Sequence, residues 1–153
     1  MVATITGPNF AQARLCEPIL RALPDWFGIE ASIVRYAAEI DSLPTWLARE
    51  KDQAVGFVSI KQHNPYSAEI YVMGILPRAQ HRGLGRALIE QAQAWLRERG
   101  VEYLQVKTLG PSRPDESYAA TRAFYAAVGF RPLEEFKQIW DEHNPCLVLV
   151  KQL

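Results

Sequence analysis

Pro77-Arg78-Ala79-Gln80-His81-Arg82-Gly83-Leu84-Gly85-Arg86 separates two segments of different periodicity, and its reading decides the fold. Before it, Ala68–Leu76 reads as a strand. After it, Leu84–Arg99 places Leu84, Ala87, Leu88, Ala92, Trp95 and Leu96 on one face and charged residues on the other, which predicts an amphipathic helix. Gly83 and Gly85 remove side chains where the chain enters that helix. The unpaired amides of a first helical turn can then approach an anion closely, with the helix dipole in support, so the segment reads as a pyrophosphate cradle. Simple helix–sheet packing is the alternative reading of the same glycines. A Walker loop would need Gly-Lys-Ser/Thr, which is absent, and the dinucleotide fingerprint would need a third small residue where Leu88 stands.

Working outward, apolar spacing predicts helices over Phe10–Leu23 and Ile29–Ile40, the first stopped by Pro24 and the second by Ser42 and Pro44. Thr45–Ala48 and Ala54–Ile60 read as antiparallel strands around the polar turn Glu50-Lys51-Asp52-Gln53. Val101–Thr108 alternates like a strand, Tyr118–Val128 is a helix closed by Gly129, and Phe130–Trp140 and Cys146–Val150 are late strands. The helix between Ala68–Leu76 and Val101–Thr108 favours parallel pairing of these two strands. The order excludes a helical bundle and predicts an α/β (mixed α+β) fold: one mixed, mostly antiparallel, twisted sheet with helices on both faces.

The 153 residues fit a single domain spanning 1–153, since domains commonly hold about 100–150 residues. Seventeen basic and seventeen acidic residues cancel, which argues against a broad electrostatic grip on nucleic acid. Cys16 and Cys146 belong to no CxxC and no ligand cluster, so they read as reduced, packed thiols and no metal is expected. With no leader-like start and no apolar run near the ~20 residues a bilayer requires, a soluble cytoplasmic protein is expected.

Gln80-His81-Arg82-Gly83-Leu84-Gly85 matches [QR]xxGx[GA], and Tyr125-Ala126-Ala127-Val128-Gly129-Phe130 matches YxxxGF downstream. With these two motifs in this order, the chain resembles the GNAT superfamily of N-acetyltransferases over nearly its whole length. The resemblance implies acetyl-coenzyme A as co-substrate, with the coenzyme held by Met73 and Ile75 on the strand and by Gln80, His81, Arg82, Gly83, Leu84, Gly85 and Arg86. A strand amide near Met73 would hold the carbonyl oxygen. Ala68-Glu69-Ile70-Tyr71-Val72-Met73-Gly74-Ile75 also resembles the strand that carries a catalytic glutamate in some histone-type members, Glu69 lying eleven residues before Gln80. In one unbroken strand Glu69, Tyr71, Met73 and Ile75 would share a face; Gly74 is the candidate site of a bulge.

Amide formation needs a neutral amine, and an alkyl amine with a pKa near ~10 is protonated at neutral pH. By resemblance Glu69 would take that proton as base and Tyr125 would give one to the departing thiolate as acid. Set against these roles, Glu69 reads as a solvated strand carboxylate and Tyr125 as a core aromatic beside Phe124. The family often has Asn and Ala where Tyr118 and Thr121 stand, so an asparagine contact to pantetheine is missing. His63 and His143 read as surface histidines. Trp26 and Phe27 read as a core anchor or as a border of the acceptor pocket. Arg113, Asp115 and Glu116 form a solvated loop or face the acceptor. The implied function is N-acetylation of a primary amine on a small molecule or peptide; the alternative is a non-catalytic acetyl-coenzyme A sensor. A nucleic-acid adaptor is disfavoured by the charge balance, no membrane partner is expected, and a monomer or homodimer fits equally.

Overall fold

The computed structural model describes residues 3–153. Its elements run β1 (Thr4–Asn9), α1 (Ala13–Arg21), α2 (Glu30–Ile40), β2 (Thr45–Glu50), β3 (Gln53–Gln62), β4 (Ser67–Ile75), α3 (Leu84–Glu98), β5 (Tyr103–Leu109), α4 (Glu116–Ala127), β6 (Arg131–Asp141) and β7 (Asn144–Gln152), with a single 3-10 turn over Pro77–Ala79. All seven strands form one sheet in the order β1-β2-β3-β4-β5-β7-β6. Among the described residues only β4 and β5 pair in parallel, joined through α3 as the crossover rule requires.

Two apolar layers cover the sheet. On one face Leu88, Ile89, Ala92 and Leu96 of α3, together with Tyr125 of α4, pack on Trp46, Ile60, Leu104 and Leu149. On the other, Cys16, Ile19 and Leu20 of α1 and Ile33 and Ile40 of α2 pack on Leu47, Phe57 and Val72. Each fully buried leucine or isoleucine contributes about 1.5–3 kcal/mol, so the helical stripes seen in the sequence are what fasten each helix to its face.

Three features differ from the sequence reading. The first strand, β1, pairs antiparallel with β2 and precedes a helix that begins at Ala13, while Phe10 is exposed. Gly7-Pro8 interrupts its alternation, so six residues leave no periodic signal. The late strands form one hairpin in which β7 is inserted between β5 and β6. The bulge in β4 lies at Tyr71: Ser59 pairs with Val72 and Ile60 with Ile70, leaving Tyr71 unopposed. This extra residue reverses the alternation. Met73 and Ile75 therefore join the α3 layer, and Tyr71 and Val72 the α1–α2 layer, so Glu69 does not share a face with Met73 and Ile75.

Candidate active site

The parallel ladder between β4 and β5 ends at the pair Ile70 and Val106, yet β4 runs on to Ile75 and β5 to Leu109. Beyond that pair the strands separate, and a cleft of about 460 Å³ opens between them. One mouth lies at Gln80–Arg86; the other is walled by Trp26, Phe27, Tyr36, Tyr71, Tyr118 and Trp140. Met73, Ile75, Thr108, Phe124 and Tyr125 line the passage between them. Thr108 is buried, and its hydroxyl has no hydrogen-bond partner.

At the first mouth the two motif glycines do different work. Gly83 is the N-cap of α3 at φ +80°, in the left-handed region, and a Cβ there would meet nothing within 4 Å. A Cβ on Gly85 would stand 2.9 Å from the Phe124 ring, so this glycine serves helix packing. No side chain caps α3, and the first intrahelical bond runs from the Ala87 amide to the Gly83 carbonyl. The amides of Leu84, Gly85 and Arg86 thus point outward at the positive end of the helix dipole.

The loop is held by the chain's own side chains. Gln80 donates to the Ile75 carbonyl at 3.0 Å, closing the turn out of β4. Arg82 donates to the buried Glu50 carboxylate at 2.6 Å and Arg78 to the same oxygen at 3.3 Å. The Arg82 bond, with Arg78 adding, holds the Glu50 carboxyl below its ordinary pKa. The side chains of Gln80 and Arg82 thus position the loop, and the Arg82 guanidinium keeps further N–H donors. His81 stands at φ +62°, a conformation unfavourable for most residues.

Tyr125 is placed by the end of α4. The Phe130 amide donates to the Tyr125 carbonyl and the Gly129 amide to Ala126, with Gly129 at φ +102°, which is the Schellman pattern. Phe130 then packs edge-on against the Tyr125 ring at 5.6 Å. The YxxxGF motif is thus a helix stop that fixes this ring. Among the described residues the Tyr125 hydroxyl has no hydrogen-bond partner, and burial, then Tyr118, raises its pKa above the ordinary value.

Glu69 is buried, not solvated, and stands outside the cleft lining. Its Oε1 lies 2.7 Å from His63 Nε2, and Lys107 Nζ donates to both of its oxygens at 3.2 and 3.3 Å. Lys107 itself lines the cleft. His63 is therefore a partner of Glu69 rather than an isolated surface histidine.

Tyr118 and Thr121 hold the opposite mouth. The Tyr118 hydroxyl donates to the Trp26 carbonyl at 3.2 Å, and the Trp26 indole N–H donates to Thr121 Oγ1 at 2.9 Å. Ser117 adds a bond to Asp25 at 3.2 Å. Burial first, then Tyr36 and Asp115, pushes the Tyr118 phenol up to about 12. Trp26 and Phe27 are half-buried, serving as core anchor and cleft wall together. Of the next loop, Asp115 caps α4 through the Tyr118 amide and Arg113 binds Asn144, and neither Glu116 nor these two lines the cleft. Among the described residues there is no cluster of three or more His, Cys, Asp or Glu that could hold a metal, and no helix is long and apolar enough to cross a membrane.

Uncapped amides, a splayed parallel pair and a ring fixed by a helix stop are elements of one known architecture. Residues 14–130 match the acetyltransferase (GNAT) family, and the chain belongs to that family. It is 37% identical over 90 residues to a mycothiol acetyltransferase from Beutenbergia cavernae, covering 58% of this chain and 28% of that protein. The chain spans 28% to 60% of the length of the curated relatives it matches. A GNAT-family protein from Desulfovibrio desulfuricans shares the fold with a TM-score of 0.86 at 20% identity, covering 99% of both chains. So does a GNAT family acetyltransferase from Elizabethkingia anophelis solved with acetyl-CoA bound, with a TM-score of 0.75 at 17% identity, covering 99% of this chain and 98% of that one.

Proposed function

We propose that the protein is a cytoplasmic N-acetyltransferase that moves an acetyl group from acetyl-coenzyme A to a primary amine by direct attack, acting as a monomer or homodimer. The observation that carries this reading is the continuous cleft that joins the uncapped first turn of α3 to the unpartnered Tyr125 hydroxyl. The residues present fit the coenzyme: outward amides over Gly83–Arg86 suit a pyrophosphate, and the orphaned Thr108 hydroxyl suits a pantetheine amide. Met73 and Ile75 flank the same passage. When bound, the coenzyme supplies an activated acyl thioester.

Tyr125 holds a proton for the departing sulfur. Its raised pKa keeps the phenol protonated throughout the neutral range. Since the parent thiol, at about 8.5, is the stronger acid, full transfer to the thiolate is uphill, and the phenol acts by donating to the sulfur as charge develops on it and is reprotonated from solvent. Glu69 takes the ammonium proton through water, with His63 and Lys107 fixing its carboxylate.

The test is coenzyme release with a panel of amines, followed by mass spectrometry of the products. Tyr125→Phe keeps the ring packing and should lower kcat by ~10²-fold or less, water substituting as donor, while acetyl-coenzyme A affinity holds. Because the folded pKa of Tyr125 lies above ~10, no alkaline fall in kcat below that pH should trace to this residue. Full turnover by Tyr125→Phe under chemistry-limited conditions removes the acid role. The Glu69→Gln deficit should shrink as pH rises and more amine is already neutral; a pH-independent deficit makes Glu69 a positioning residue. Coenzyme binding with no turnover of any amine gives the sensor reading instead.

A further inference from the structure

The acceptor mouth carries a chemical preference of its own. Its walls are aromatic, and Phe27, Tyr36 and Tyr71 form a run of edge-to-face contacts with centroids 5.7 and 5.5 Å apart. Among the described residues no aspartate or glutamate lines the cleft, and its lysines and arginines are Arg86, at the first mouth, and Lys107. A polyamine or other polycation placed there would meet the like charge of Lys107, and Lys61 already stands over the Tyr71 ring at 5.3 Å.

Lys107 is the feature that remains. Its side chain is 31% exposed, and the Glu69 carboxylate it contacts also receives His63 at shorter range. An ammonium has three N–H groups and Glu69 offers two oxygens, so a donor is left for the cleft. Lys107 follows Val106, the last residue of the closed ladder, and therefore stands at the closed end of the opening. A coenzyme arm anchored beyond Ile75 must run back along β4 toward that same end, bringing the reacting carbon there.

Resting on the transferase reading above, we propose that the acceptor is an α-amino acid with an aromatic or large apolar side chain, its carboxylate bound by Lys107 and its side chain held by the Trp26, Phe27, Tyr36 and Tyr71 wall. The carboxylate site and the reacting position share one end of the cleft, which requires the two groups to be adjacent in the acceptor. The amine attacks the thioester carbon, the new C–N bond replaces the C–S bond, and the amine's proton leaves through Glu69 while the thiolate is protonated by Tyr125.

The experiment compares L-phenylalanine, L-phenylalaninamide, phenethylamine and spermidine as acceptors with acetyl-coenzyme A, scored by kcat/KM and product mass. Phenylalanine should exceed both carboxylate-free analogues by about ten- to a hundredfold, the range of one charge-assisted hydrogen bond, and spermidine should be poorest. The amide's amine is the more easily deprotonated, so this preference would run against intrinsic reactivity. In Lys107→Met the ratio of phenylalanine to phenethylamine should fall toward one, through KM, and Lys107→Arg should recover part of it. Preference for spermidine or phenethylamine, or a Lys107→Met effect equal on all acceptors, overturns the substrate class and leaves the transferase standing. Turnover of none of the four, with calorimetric coenzyme binding intact, overturns the substrate class; the transferase reading falls only if the wider amine panel is also inert.

Discussion

Substituting Gly83 separates two reasons for a glycine at the entry of α3. Gly83→Ala introduces a Cβ at φ +80°, which costs roughly 1–2 kcal/mol by the left-handed penalty. For a chain of this length about 2–4 °C of Tm accompanies each kcal/mol, so a fall of several degrees is expected. Gly83→Asn pays less of that penalty, since asparagine tolerates the left-handed region. Both side chains project into the open space before the outward amides of Leu84, Gly85 and Arg86, where the pyrophosphate is proposed to sit. Losing one charge-assisted amide–phosphate bond amounts to ~1.5–3 kcal/mol, or about ten- to a hundredfold in Kd. Gly85→Ala reverses the pattern: its Cβ meets the Phe124 ring at 2.9 Å, and overpacking costs about 1–3 kcal/mol. Isothermal calorimetry with acetyl-coenzyme A and a thermal melt on each variant give both axes. Near-native stability with weakened binding in Gly83→Asn is the diagnostic result. Wild-type affinity in that variant would remove the cradle.

Thr121→Val leaves the Trp26 indole N–H without its acceptor and should lower stability by about 1 kcal/mol, with a raised KM for the acceptor and unchanged coenzyme affinity; an effect on the coenzyme alone would detach Trp26 from the acceptor wall. Burial, with Asp41 adding, pushes the Cys16 thiol up to about 12, and burial pushes Cys146 up to about 11. Neither should react with iodoacetamide at pH 8 in the native protein, both should react in guanidinium, and rapid native labelling of Cys146 would show that its side of the sheet opens.

The glycine-marked start of α3 and the helix stop at Gly129 were legible because each is local: a few consecutive residues carry the glycine, the helix start or end, and the apolar stripe behind it. Glu69 shows where that legibility ends. Its partner His63 was within reach of a closer reading, since Lys61 pairs with Glu69 across the β3–β4 hairpin, and residues diagonal on such a ladder face one another. Lys107 was not, because its approach depends on the parallel register of β4 and β5, set by packing of α3 rather than by any adjacent residue. The bulge decides the rest. Periodicity gives Glu69 and Met73 the same face, and one unopposed residue at Tyr71 sends them to opposite sides of the sheet, the carboxylate toward α1 and α2 and the methionine toward α3. No composition rule places it, because tyrosine is an ordinary strand residue and the register is enforced by β3.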